Sequence, residues 1–134
     1  MAFTEPEFHL REEDLDRRTH VITVSGEIHV STAPEFQRRL DAAISRGKTA
    51  VVLDLSGTEF IDSTGLSVIL NGLRRVTRQR GRMAIVCTNP TVLRLFEITR
   101  LDSTFDILPD RDAAIARVRR GQSDSADGST DGAP

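Results

Sequence analysis

Two short and nearly continuous apolar runs constrain the fold of this chain more than any other feature. They cover residues 50–55 and 83–87, and Asp54 is the only residue in them that is not apolar. A strand with one face in water alternates apolar and polar residues, whereas a continuous run of strand length is typical of a parallel strand buried on both faces. The two runs therefore predict buried strands in a sheet with a parallel part.

Four amphipathic segments before, between and after these runs predict helices. The second of them carries an i, i+3, i+4, i+7 stripe of apolar side chains from Leu66 to Val76 and ends at Gly81. Each segment opens with residues that favour a helix start: a Thr32-x-x-Glu35 capping box before the first, residues 62–64 before the second, Asn89 and Pro90 before the third, and Asp110 before the fourth.

Two strands precede the first helix, at residues 8–10 and 19–28, and a polar acidic connection joins them as a hairpin. A last short strand is predicted around residues 105–108. The sequence therefore predicts one α/β domain with a mixed sheet and the order β-β-α-β-α-β-α-β-α, because strands separated by helices need crossover connections.

The domain is expected to span residues 1–120, with a folded core at about 8–119. Residues 121–134 hold three aspartates and no apolar residue larger than alanine. Such a segment buries too little apolar surface to offset its ordering entropy. We therefore expect a disordered acidic tail at 121–134.

Composition excludes several classes of function. The net charge is −2 and the chain has neither Trp nor Tyr, which argues against a nucleic-acid partner. No apolar stretch reaches the about 20 residues of a membrane helix, and the N-terminus lacks the pattern of a secretory signal. A cytoplasmic protein without a membrane partner is expected. Cys87 is the only cysteine, which excludes an intrachain disulfide and a cysteine zinc site.

Motifs of catalysis are also missing. The chain has no Gly-x-Ser-x-Gly elbow, no phosphate-binding glycine loop and no pair of histidines with metal-ligand spacing on one helix. These absences predict a protein that is not an enzyme. Five arginines between residues 74 and 82 are typical of a solvated helix end, and a partner with an acidic surface is the functional alternative.

The pentapeptide from Asp62 to Leu66 is the most informative segment that remains. Asp, Ser and Thr are ordinary residues for a helix start, so taken alone the segment predicts only a cap. A helix N-terminus also presents unpaired N–H groups and the positive end of the dipole, which suit a phosphate. A phosphoserine at Ser63 would therefore change the surface and leave the fold intact.

The sequence resembles the anti-sigma factor antagonists of bacteria, which are members of the STAS domain family. Residues 26–33 and 60–66 carry the resemblance, and residues 52–56 and 89–96 add to it. It covers about residues 8–119. The resemblance implies a protein that binds an anti-sigma factor that is also a serine kinase, and so releases a sigma factor.

The resemblance further implies that the kinase switches the protein off by phosphorylating Ser63, with Thr64 as a secondary candidate, and that a PP2C-type phosphatase restores it. ATP and metal would belong to the kinase, so the resemblance implies that this chain needs no cofactor of its own. The implied partner-binding residues are Glu27, His29, Thr32, Asp62, Ser63, Thr64 and Gly65. The family often has an aspartate at the position of His29, which leaves the identity of the partner open.

Two other functions stay open at this stage. The same domain could serve as an interaction module of another regulatory complex, such as a stress-sensing assembly or a lipid or transport partner, without sigma-factor control. A serine-nucleophile enzyme would need a histidine base beside Ser63, and His29 is the only plausible candidate.

Overall fold

Five strands form one mixed sheet in the order β1-β2-β3-β4-β5 in a computed structural model that describes residues 8–127. The elements, in chain order, are β1 (Phe8–Asp14), β2 (Thr19–Ile28), α1 (Ala33–Ser45), β3 (Ala50–Ile61), α2 (Ser63–Arg78), β4 (Arg82–Val86), α3 (Pro90–Ile98), a single 3-10 turn (Leu101–Ser103), β5 (Asp106–Leu108) and α4 (Arg111–Asp127).

The sheet has one antiparallel pair at its edge and three parallel pairs. β1 runs antiparallel to β2, and the pairs β2–β3, β3–β4 and β4–β5 are parallel. Each parallel pair is joined by a helix, as crossover connections require. The predicted single α/β domain with a mixed sheet and this element order is confirmed.

The sheet is covered on both faces. Val51, Leu53 and their neighbours on one face contact α1, α2 and α3 in the larger hydrophobic cluster. The side chains that alternate with them, among them Val52 and Ala84, lie in a smaller cluster with Ala114 and Val118 of α4. Because successive side chains of a strand point to opposite faces, the continuous apolar runs are required to fill both layers.

The first hairpin differs from its predicted boundaries. β1 continues through Asp14, so the acidic residues Glu12, Glu13 and Asp14 belong to the strand and not to the connection. His20 of β2 is buried, and its ring nitrogens lie 2.5 Å from Asp14 Oδ1 and 2.8 Å from Glu12 Oε1. These carboxylates stay in the strand because they have a partner across the hairpin, which the sequence pattern does not show.

The C-terminal helix continues into the segment for which a disordered tail is predicted. α4 continues to Asp127, seven residues past the expected end of the folded domain at 120. The predicted domain boundary at 120 and the predicted disorder of residues 121–134 stay predictions, and residues 128–134 lie outside the described part of the chain.

No helix within residues 8–127 combines the length and the apolar character that crossing a bilayer demands. In the same part of the chain, no group of three or more His, Cys, Asp or Glu side chains is placed to hold a metal ion.

Asp16 organises the turn between β1 and β2. Its Oδ1 accepts hydrogen bonds from the backbone N–H groups of Arg18 (2.9 Å) and Thr19 (2.8 Å), and its Oδ2 lies 3.0 Å from Arg119 Nη2 of α4. Partial burial alone would raise the pKa of Asp16, but hydrogen bonds from Thr19, Arg18 and Arg119 outweigh it and lower the pKa to about 2. The turn is thereby joined to the last helix.

We expect Asp16→Asn to reduce the stability of the protein at neutral pH but not near pH 2. The pKa of Asp16 is lowered from 3.8 to about 2, so its charged form stabilises the fold above pH 3.8, and this contribution is lost as the pH falls through that interval. The loss at pH 7 should not exceed about 1 kcal/mol, because water screens an exposed ion pair. Urea unfolding at both pH values measures it. Asp102→Asn is the control, and a deficit that persists unchanged at low pH would contradict this role.

Candidate functional site

The residues that the sequence singled out come together at the carboxyl ends of β2 and β3. Ile28 lies opposite Ile61 in the parallel register. One residue further on, the Asp62 backbone N–H donates a hydrogen bond to the Ile28 carbonyl at 3.0 Å. The loop after β2 and the first turn of α2 therefore lie side by side, as expected for the ends of adjacent parallel strands.

Asp62 is the residue that caps α2. Its backbone is extended, and its Oδ1 accepts a hydrogen bond from the Gly65 N–H at 3.0 Å. Ser63 is the first residue of the helix and is exposed, and its hydroxyl makes no hydrogen bond with residues 8–120. Thr64 follows half-buried. The sequence left open which of these residues caps the helix, and the structure assigns the cap to Asp62, which leaves the Ser63 hydroxyl accessible.

Gly65 contributes to the site by allowing a close approach. It is buried, and a Cβ atom on it would lie 2.7 Å from the Ile28 Cγ2 and 2.8 Å from the Ile61 Cγ2. Any side chain here would push the start of α2 away from the ends of both strands. Gly65 is thus required for the close packing of α2 against the two strand ends, and its predicted part in partner binding stays a prediction.

Thr32 holds the loop between β2 and α1. Its hydroxyl donates to the Glu27 carbonyl at 2.8 Å and accepts from the His29 N–H at 3.0 Å. Thr32 occupies the N-cap position of α1 without a side-chain cap bond, and Glu35 pairs with Arg39. The predicted capping box is therefore wrong, because the threonine hydroxyl bonds to the preceding loop in place of the helix.

His29 lies on the same loop with about a third of its side chain exposed. Its Nδ1 accepts a hydrogen bond from the Ser31 N–H at 3.2 Å, an arrangement that requires an unprotonated Nδ1. The proton of the neutral ring is then on Nε2, which lies 3.7 Å from Glu27 Oε1. His29 and Glu27 therefore present a polar pair at the edge of the site.

Two exposed apolar side chains border the site, and the motifs in the sequence did not single them out. Val30 in the loop is 68% exposed, and Phe60, which pairs with Glu27 near the end of β3, is 43% exposed. Exposed apolar groups rimmed by polar residues are typical of interaction surfaces. Val30 lies within residues 26–33 and Phe60 within residues 60–66, and this position in the two segments that carry the family resemblance is the signal that could have identified them.

The geometry gives little support to serine nucleophile chemistry. The Ser63 hydroxyl has no hydrogen bond to His29 or to any other described side chain that could act as a base. What the arrangement offers is an accessible hydroxyl at the positive end of a 16-residue helix, where an added anion is tolerated.

Comparison with known proteins is consistent with this geometry. Residues 13–114 match the family model described as the STAS domain. The anti-sigma F factor antagonist of Paenibacillus polymyxa is 33% identical over 96 residues, which is 71% of this chain and 80% of that relative.

Two solved structures are similar in fold and sequence. An anti-sigma factor antagonist from Mycobacterium paratuberculosis has a TM-score of 0.78 and 32% identity, and the match covers 87% of this chain and 97% of that one. The Bacillus cell fate determinant SpoIIAA in its phosphorylated form has a TM-score of 0.66 and 25% identity, with 83% and 100% covered.

The assignment of the cap predicts unequal effects for two neighbouring alanine substitutions. Asp62→Ala removes the acceptor for the Gly65 N–H and should lower the free energy of unfolding by about 1 kcal/mol. Ser63→Ala removes no hydrogen bond and should change it by less than about 0.5 kcal/mol. Chemical unfolding of the two variants and the wild type measures both. Equal losses would show that the serine hydroxyl shares the cap.

Proposed function

This chain belongs to the STAS domain family, and we propose that it acts as an anti-sigma factor antagonist whose switch is Ser63. In this proposal the unphosphorylated protein binds an anti-sigma factor in the bacterial cytoplasm and so releases the sigma factor. The anti-sigma factor is also the serine kinase that phosphorylates Ser63, and a PP2C-type phosphatase removes the phosphate.

The observation that carries the proposal is the state of the Ser63 hydroxyl. It is exposed, it takes no part in the cap, and it lies at the same end of the sheet as the exposed Val30 and Phe60. A kinase can reach such a hydroxyl without unfolding the helix. SpoIIAA, to which this chain is similar in fold and sequence, has itself been solved in a phosphorylated form, which adds support.

The free protein should tolerate the phosphate. The dianion would lie at the N-terminus of α2, where the helix dipole and the unpaired N–H groups of the first turn favour negative charge. The fold of the phosphorylated protein is therefore expected to match that of the unphosphorylated one.

The complex should not tolerate it. The Glu27 and Asp62 carboxylates already make this surface negative, and a partner that covers Val30 and Phe60 would remove water from around Ser63. A dianion there loses its hydration and meets like charges, so it opposes binding. ATP and metal belong to the kinase in this scheme, and the chain itself supplies only the acceptor and the docking surface.

Incubation with the cognate kinase and ATP should add one phosphate to the protein, and phosphopeptide mapping should place it on Ser63. Ser63→Ala should prevent the modification, whereas Thr64→Ala, the matched change at the half-buried neighbour, should allow it. Phosphate found instead on a serine of residues 121–134 would contradict the proposed switch.

Because negative charge at Ser63 should be tolerated in the free protein but not in the complex, two variants of Ser63 should behave in opposite ways. Ser63→Asp should fold normally and bind the anti-sigma factor at least about 100-fold more weakly, because an uncompensated charge in an interface costs about 3–5 kcal/mol. Ser63→Ala should bind like the wild type and resist release by kinase and ATP. Titration calorimetry and circular dichroism measure both. If Ser63→Asp is folded and binds as tightly as the wild type, charge at this site is not the switch.

The exposed apolar residues allow a matched test of the docking surface. Val30 and Ile98 are 68% and 67% exposed, but only Val30 lies beside the site. Val30→Ser should weaken partner binding about tenfold, the effect of losing much of one buried valine side chain. Ile98→Ser should leave the affinity unchanged. Equal effects of the two substitutions would show that the partner does not dock at this end of the sheet.

A further inference from the structure

A groove lies along the C-terminal half of α2, away from Ser63. It has a volume of about 540 Å³, and residues of α2 line one side while the segment around the 3-10 turn lines the other. Arg74 lies eleven positions after Ser63 in α2, which places this part of the groove about 16 Å along the helix from the proposed switch. The groove is therefore made of residues that the proposed function does not use.

The bottom of the groove is apolar. Leu70 and Leu73 of α2 and Leu101 of the 3-10 turn are partly buried and pack against the larger core cluster, with part of each side chain facing the groove. Leu70 and Leu73 are three residues apart on the helix, so they lie on one face. These leucines leave apolar surface in contact with water at a concave site. A partner that covers this surface lowers the free energy of the system, which favours binding.

The rim of the groove is positively charged. Arg74 and Arg78 are exposed, line the groove and form no ion pair with any side chain of residues 8–120. Arg75, by contrast, lies 2.8 Å from Asp41 of α1 and is committed to that contact. Arg74 and Arg78 are four residues apart, where two like charges on a helix repel each other. An anionic partner would relieve this repulsion.

From this combination we infer that the groove binds an acidic amphipathic segment of a protein partner. Leucine-type side chains of such a segment would enter the apolar groove, and its carboxylates would pair with the planar guanidinium groups of Arg74 and Arg78. From Leu70 to Arg78 the helix rises about 12 Å, which matches about two turns of a docked helix.

Nucleic acid fits the groove less well. Its phosphates could pair with the arginines, but a phosphate backbone has no use for the leucine-lined bottom. The chain has no Trp or Tyr on which bases could stack, and its net charge is −2. Binding of nucleic acid is therefore an alternative outcome of the experiment and not part of the proposal.

The experiment uses the full chain labelled with ¹⁵N and three probes. The first is a synthetic peptide of about three helical turns with leucines on one face and glutamates on the other, the second is the same peptide with lysines in place of glutamates, and the third is a short DNA duplex. Backbone amide shifts locate the binding, and their concentration dependence gives the affinity. The protein variants are the double change Arg74→Glu with Arg78→Glu and a control double change that alters the net charge equally, Arg11→Glu with Arg94→Glu.

The proposal expects the acidic peptide to shift the amides of residues 70–78 and 101–104. The Arg74, Arg78 variant should weaken this binding at least about tenfold, whereas the control variant should change it by less than about twofold. The lysine peptide should not bind there. Failure of the acidic peptide to bind, shifts located elsewhere, equal effects of the two variants, or binding of the DNA duplex through the groove in place of the peptide would each overturn the proposal.

Discussion

The hydrogen bond from the Asp62 N–H to the Ile28 carbonyl, 3.0 Å long, joins the end of β2 to the start of α2. It forms only because the two strands end in register. β3 uses two more residues than β2 between the first pair, Thr19 with Ala50, and the last pair, Ile28 with Ile61, and irregularities in the pairing absorb the difference. Gly65 then lets α2 begin against both strand ends without a steric clash.

This junction explains how one end of the sheet can carry a switch. The groups that hold the junction together are backbone atoms, the Asp62 carboxylate and the Thr32 hydroxyl. Ser63 belongs to none of these bonds, so its modification would alter the charge of the surface without removing a contact from the fold. A regulatory site of this kind needs a rigid frame beside an unconstrained hydroxyl, and the junction provides both.

Much of the fold follows from patterns in the sequence, because the patterns act locally. The continuous apolar run at residues 50–55 predicted a strand buried on both faces, and the structure places alternate residues in two separate clusters. Asn89 was predicted to start a helix, and its Oδ1 accepts hydrogen bonds from the Thr91 and Val92 N–H groups. In both cases the residues that decide the structure are close together in the chain.

The differences arise where a contact outside the residue's own helix or strand decides the local structure. Glu12 and Asp14 stay in β1 because His20 binds them across the hairpin, although acidic residues are depleted in strands. Thr32 had two possible sets of partners, and only the folded loop selects between them. The exposure of Val30 depends on how the loop leaves β2, which no periodicity encodes.

If charge at Ser63 controls the partner without altering the fold, one comparison separates the two effects. The unphosphorylated protein and the protein phosphorylated at Ser63 are each titrated with the cognate anti-sigma factor, and amide spectra of both free forms are recorded. We expect the phosphate to weaken binding at least about 100-fold, with shift changes confined to residues 28–32 and 60–67. Equal affinity of the two forms, or shift changes that spread across the sheet, would contradict a switch that acts through local charge.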